Sequence, residues 1–173
     1  MNFKDISVYE LQQNFFKEFD KNWALLCSGS TQKDFNVMTV SWGNVGILWN
    51  KPIATCFVRP HRHTFNFIDE TDNFTLNFFS DEKYKSMLSL CGSQSGRDID
   101  KIKESGLTSF YTLNSNMGFT EAQLILDCKV LYKDWLREDS FLQTDIISKN
   151  YPLKDFHKFF IGEILNAYQK NNL

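Results

Sequence analysis

Three polar clusters between residues 36 and 101 carry the side chains best suited to hold an anion beside a polar ring. The first reads Asn36-Val37-Met38-Thr39-Val40-Ser41-Trp42-Gly43, and the second Arg59-Pro60-His61-Arg62-His63-Thr64. The third is Cys91-Gly92-Ser93-Gln94-Ser95-Gly96-Arg97-Asp98-Ile99-Asp100-Lys101. Hydroxyls, cations and glycines that recur at the ends of apolar segments supply the donors a phosphate-bearing ligand requires. Arg59 and Arg62 can each clamp a phosphate through two parallel N–H···O bonds, and a helix begun at Thr64 would add free N–H groups and a positive dipole end. A glycine-containing turn that opens a helix makes an anion nest around Ser95, and Lys101 can reach a phosphate as a point charge. A strand carrying Asn36, Met38, Thr39 and Ser41 can offer backbone donors to ring heteroatoms, with Trp42 as an apolar wall. His157, just ahead of the last apolar segment, offers a neutral imidazole to a ring or substrate.

Each cluster also has a plain structural explanation. Residues 36–42 could form an ordinary strand whose Trp plugs the core, and the arginines could be surface salt-bridge partners. Arg97, Asp98 and Asp100 read as residues that hold a loop in shape, and a lone His at a strand start often serves only as a hydrogen-bonding residue. His61 and His63 have metal-ligand chemistry, but no carboxylate or Cys of supporting spacing lies nearby, so no metal site is expected.

The elements that must position these groups follow from periodicity. Residues 7–21 place Val8, Leu11, Phe15 and Phe19 three and four apart, which predicts an amphipathic N-terminal helical extension over residues 1–21. Strands are predicted at 23–28, closing on the turn Ser28-Gly29-Ser30, then at 37–42, 46–49, 53–58 and 74–79. Asn50-Lys51-Pro52 reads as a turn because Pro interrupts a ladder. Thr64 caps a predicted helix to residue 70. Asp81 opens another over Tyr84, Met87 and Leu88, and a third runs from 98 to 104. Two long strands at 121–132 and 156–167 follow, with a helix between them at 139–147. Many short strands with few helices favour a closed antiparallel barrel over alternating β-α-β units. No Gly-x-Gly-x-x-Gly turn follows a strand, which counts against a Rossmann nucleotide site.

At 173 residues the chain suits one domain, spanning residues 1–173. A net charge of −2 gives no electrostatic case for nucleic acid or a membrane surface. The apolar runs are too short to span a bilayer, and Met1-Asn2-Phe3-Lys4-Asp5 lacks the layout of a secretory signal, so a cytoplasmic protein is expected. Cys27, Cys56, Cys91 and Cys128 form no C-x-x-C pair and read as small packed thiols in a reducing compartment. Seventeen Phe exceed what one small core readily hides, so a homodimer is expected.

The order of the three clusters resembles the flavin reductase-like family with an FMN-binding split barrel, in particular its flavoredoxin branch. The likeness continues through Gly106-Leu107-Thr108, Glu121-Ala122-Gln123-Leu124 and His157-Lys158-Phe159-Phe160-Ile161-Gly162-Glu163-Ile164. It implies a mainly β fold with peripheral helices, FMN as cofactor, and NADH or NADPH as donor, which would make the chain an NAD(P)H:flavin oxidoreductase. It also implies FMN contacts from Asn36, Met38, Thr39, Ser41, Trp42, Arg59, Arg62, Thr64, Ser95 and Lys101, with His157 at the reacting face. His63 departs from the family pattern, where an aromatic usually stands. Two alternatives stay open: an electron carrier that holds FMN permanently and serves redox-protein partners, and a binder of another phosphorylated ring compound. With flavin supplying redox chemistry, no protein acid–base dyad is required.

Overall fold

The computed structural model describes residues 2–31 and 34–171. The side chain of Ser30, and with it part of the predicted turn at 28–30, lies outside the described residues; the backbone of Ser28 and Gly29 is strand, not turn. Strands β1 (Phe3–Ile6), β2 (Ala24–Thr31), β3 (Asp34–Val40), β4 (Gly43–Leu48), β5 (Lys51–Val58), β6 (Asn73–Phe78), β9 (Leu124–Trp135) and β10 (Lys158–Lys170) form one antiparallel sheet. A small hairpin pairs β7 (Ser109–Tyr111) with β8 (Met117–Phe119). The helices are α1 (Phe15–Lys17), α2 (His63–Thr71), α3 (Lys85–Ser93), α4 (Lys101–Ser105) and α5 (Thr144–Asn150).

The strand order is β3-β2-β6-β9-β10-β5-β4. β3 and β4 are consecutive in the chain, joined by Ser41 and Trp42, yet they stand at opposite ends of that order. The sheet therefore curls into a barrel that is split along one seam, with β3 brought beside β5. β10 is the closing strand: β9 lines its whole length on one side, while β5 and then β1 share the other. Alternate residues of the central strands face two different cores, because a strand turns successive side chains to opposite faces. Leu26, Met38, Leu76, Leu126 and Phe160 fill the barrel. Leu25, Val37 and Ile125 point outward into a second core under α3, with Leu88, Cys91, Leu107 and Phe119. That double burial explains the continuous apolar runs.

Gly162 marks a register shift between β9 and β10, and an added Cβ there would lie 2.6 Å from Phe74 Cε1 and 3.0 Å from Cys128 Cβ. Both neighbours are fully buried and cannot retreat. Gly162→Ala should therefore destabilise the fold by about 1–3 kcal/mol, read as a lower urea midpoint at unchanged m-value.

Several sequence expectations are corrected. Residues 7–21 form no continuous helix, and the predicted helical extension over 1–21 begins with β1. A 3₁₀ turn capped by Ser7 follows, then extended chain, α1 capped by Asn14, and a π-helical turn at Glu18–Asn22. Val8, Leu11 and Phe15 still pack on the barrel core, so their spacing is met by an irregular strap. Pro52 lies inside β5, just beyond the end of the β5–β10 ladder, so its missing N–H breaks no bond to β10. The turn falls instead at Trp49 and Asn50, both in left-handed conformation (φ 51° and 58°), as a two-residue hairpin of this twist requires. Thr64 sits inside α2, whose cap position is Arg62 with no side-chain cap bond. The helix predicted at 139–147 is divided: a 3₁₀ turn at Glu138–Ser140 precedes α5, because Phe141 turns in to pack on Tyr151 and Phe156. Among the described residues no helix is long and apolar enough to cross a membrane.

Candidate functional site

The seam of the barrel opens into a cleft of about 350 Å³. It is lined by Met38, Thr39, Ser41 and Trp42 from β3 and its exit, Phe57 and Arg59 from the end of β5, His61, Arg62, and His157 at the entry to β10. Seven of the sequence-predicted site residues thus meet in one place, although they are up to 119 positions apart. Asn36 and Lys101 line a second, adjoining hollow of about 680 Å³ with Gly96, Arg97 and Asp98. Adjacent residues of one strand, Val37 and Met38, separate the two. Ser95 and Thr64 line neither. The Ser95 hydroxyl accepts from the Arg97 N–H at 3.2 Å and shapes the loop, while fully buried Thr64 is joined to the site by Asn36, whose Nδ2 donates to its Oγ1 at 2.8 Å. Gly96 lets that loop approach β3, since a Cβ there would sit 2.1 Å from Asn36 Oδ1.

Positive charge dominates the floor between the hollows. Arg62 donates to the carbonyls of Gly92 (2.6 Å) and Cys91 (3.4 Å), and buried Lys101 donates to those of Val37 and Cys91, both at 2.9 Å. Both cations therefore close the C-terminal end of α3, a favourable place for positive charge. Among the described residues neither has a carboxylate partner. Burial first, and then the Arg62 charge, pushes the Lys101 ammonium down to about 8. Arg62 is lowered by its own burial and by Arg59. His63 is lowered by burial and by Arg97 and Lys101, and its Nδ1 is buried without a hydrogen-bond partner among the described residues.

Arg59 is committed elsewhere. It pairs with Asp155, donates to the Asn150 carbonyl at 2.8 Å and lies over the Tyr151 ring at 5.2 Å from its centroid. It thereby fastens the segment that carries His157. The His157 ring is buried, lies 5.0 Å from the Trp42 ring and has Nδ1 2.8 Å from the Tyr151 hydroxyl. Burial, followed by the Arg59 charge, lowers His157 to about 4. Above the ordinary value of 6.5 the ring is neutral in both the folded and unfolded chain; between 6.5 and about 4 only the unfolded chain takes the proton. Stability should accordingly fall with pH across that window, by up to roughly 3 kcal/mol from this group. Urea unfolding of wild type and His157→Gln at the two ends of the window checks this: the variant should show a flatter pH dependence, and equal slopes would exclude His157 as the source.

Phe57, Tyr151 and Asp155 are site residues that sequence reasoning missed. Tyr151 and Asp155 could have been suspected from their closeness to His157, with Phe141 and Phe156 supplying an aromatic surround. All four cysteines are buried, and burial raises their thiols, which fits packing.

The flavin reductase like domain family matches residues 16–173, all of this site included. The chain belongs to that family. Solved structures share the fold of this flavin reductase-like chain. An FMN-binding domain of a flavin reductases-like enzyme from Shewanella baltica is 18% identical with a TM-score of 0.68, covering 98% of this chain and 78% of its own. Flavoredoxin from Methanosarcina acetivorans is 21% identical at a TM-score of 0.64, covering 97% and 76%. A 2-nitrobenzoate 2-nitroreductase from Pseudomonas fluorescens is 20% identical at 0.64, covering 96% and 76%. The architecture is the split β-barrel of these flavin reductase-like proteins. No curated protein matches the sequence.

Proposed function

We propose that this flavin reductase-like chain binds FMN at the barrel seam and catalyses its reduction by NADH or NADPH. The observation that carries the proposal is the junction of an aromatic-walled cleft with two cations, half-buried Arg62 and buried Lys101, whose hydrogen-bond partners among the described residues are carbonyls. Trp42, Phe57 and Met38 offer apolar surface to a flat ring, and Arg62 and Lys101 offer charge to a phosphate. FMN, when bound, supplies the two-electron redox chemistry. The chain's own part is to bind, orient and shield: β3 edges the cleft with backbone groups and Ser41 with a hydroxyl, the Thr39 hydroxyl donates to the Leu88 carbonyl of α3, and His157 presents a neutral imidazole beside Trp42.

Purified protein should be yellow and should bleach under anaerobic NADH or NADPH faster than free FMN does. Protein that takes up neither FMN nor FAD in a titration would end the flavin proposal. A second reading is favoured by Trp42, a residue 43% exposed that lines the cleft and is bulky enough to bar a nicotinamide. On that reading the chain is a flavoredoxin-type carrier for redox-protein partners. Bleaching by dithionite or reduced ferredoxin, with none from either nucleotide in stopped-flow, would select it.

The same face supports a homodimer. Trp49 in the β4–β5 turn and Tyr132, Phe159 and Phe57 on β9, β10 and β5 form a continuous row of rings. Phe57 links that row to the cleft. Sedimentation at single-chain mass at micromolar concentration, with FMN bound, would defeat the dimer. Four buried thiols without disulfides suit the cytoplasm.

A further inference from the structure

Tyr151 is 3% exposed and packed among Phe141, Phe156 and the Arg59 guanidinium. Its hydroxyl meets His157 Nδ1 at 2.8 Å, and that bond could run in either direction. The deciding question is what each direction leaves unsatisfied. If Nδ1–H donated, the buried Tyr151 O–H would have no acceptor among the described residues, an unfavourable state for a buried donor. If Tyr151 donates, its proton is satisfied, and the imidazole proton moves to Nε2. Nε2 has no protein partner among the described residues, and His157 lines the cleft. The charged and titratable groups around the ring are Arg59, Asp155 and His61, besides Tyr151. Arg59 and His61 oppose an imidazolium and Asp155 favours one, with burial the largest influence, against the charged form. The Tyr151 hydroxyl is raised above its ordinary value by burial, which keeps it protonated.

We propose that Tyr151 is a positioning residue that donates to His157 Nδ1, fixes the Nε2–H tautomer, and so makes His157 a neutral donor selecting a hydrogen-bond acceptor, such as a carbonyl or carboxamide oxygen, in the cleft. The assignment of that acceptor rests on the cleft being the reaction site; the tautomer does not. A carboxamide is the polar group a nicotinamide would bring, and a ligand presenting only donors or a cation there would be disfavoured.

Long-range proton–nitrogen correlation spectra of histidine-labelled protein read the tautomer directly, with or without flavin. Wild type should show His157 protonated at Nε2 and bare at Nδ1 between about pH 5 and 8. Tyr151→Phe keeps the ring packing and removes only the hydroxyl. His157 should then populate both tautomers, and its apparent pKa should rise by roughly one unit, because a bond to the neutral form has been lost. In flavin-loaded protein, the same variant should slow reduction by NADH more than it weakens FMN. A wild-type Nδ1–H tautomer would overturn the proposal, a result that needs no variant to fold. So would an unchanged tautomer and pKa in Tyr151→Phe. Wild-type protein with the Nε2–H tautomer that never reduces flavin would support the role of Tyr151 and defeat the flavin reductase proposal instead.

Discussion

Lys101→Ala or Arg62→Ala should weaken FMN by roughly tenfold to more than a hundredfold, and riboflavin far less, because losing a charge-assisted contact costs about 1.5–3 kcal/mol. Riboflavin lacks the phosphate, so the difference between the two ligands isolates the charge contribution from general damage. That separation matters here, since Lys101 and Arg62 also hold the carbonyls at the end of α3. The pH dependence has a definite sign. The free protein releases the Lys101 proton at about 8, and a bound phosphate would raise that value. The phosphate-dependent affinity should therefore be complete below about pH 8 and fade as pH rises beyond it. Flavin-fluorescence titrations with both ligands, at neutral and alkaline pH, test both parts. Equal losses for FMN and riboflavin would show that these cations serve the fold and not the ligand.

Phe160→Ala should cost about 3–5 kcal/mol, a large part of the 5–15 kcal/mol available to a domain. Phe160 is fully buried in the barrel core, where it meets Phe65 edge to face at 6.3 Å and stands opposite Cys56 on β5 and Lys133 on β9. Three strands therefore lose packing at one point. Because His157 lies three residues earlier, flavin uptake should suffer with stability. A denaturant midpoint that shifts by less than about 1 kcal/mol equivalent would mean the barrel refills the space by collapse.

The parts of the fold that were legible are those whose signal is local. Gly106 after the α4 residues, Asp81 before Tyr84, and the apolar runs around Leu26, Cys56 and Leu76 each announce their element. β1, β7 and β8 were missed because three or four residues carry too little periodicity to register, and the pairing of β1 is decided by a distant partner, Lys170 for Phe3. The helix expected at 7–21 failed because a spacing of three and four is also met by a chain that winds over a curved sheet. At the site, side-chain types carried the information for Trp42, Arg59, Arg62 and His157. Sequence could not say that Arg59 would spend its charge on Asp155, that Lys101 would face a separate hollow from Met38, or that Tyr151 would stand behind His157. Those facts depend on which strand ends the seam brings together.

β10 has a bearing on kinetics. It pairs with β9, β5 and β1, and its pairings span from Phe3 to Lys170, so the barrel cannot close until this most distant set of contacts is made. Pairings of such long range are costly in loop entropy and slow to form. The seam exists only after closure, since its walls come from β3, β5 and the entry to β10. A ligand bound there can therefore grip the finished barrel and not its precursors, which means it would act as a lock on unfolding while giving refolding no head start.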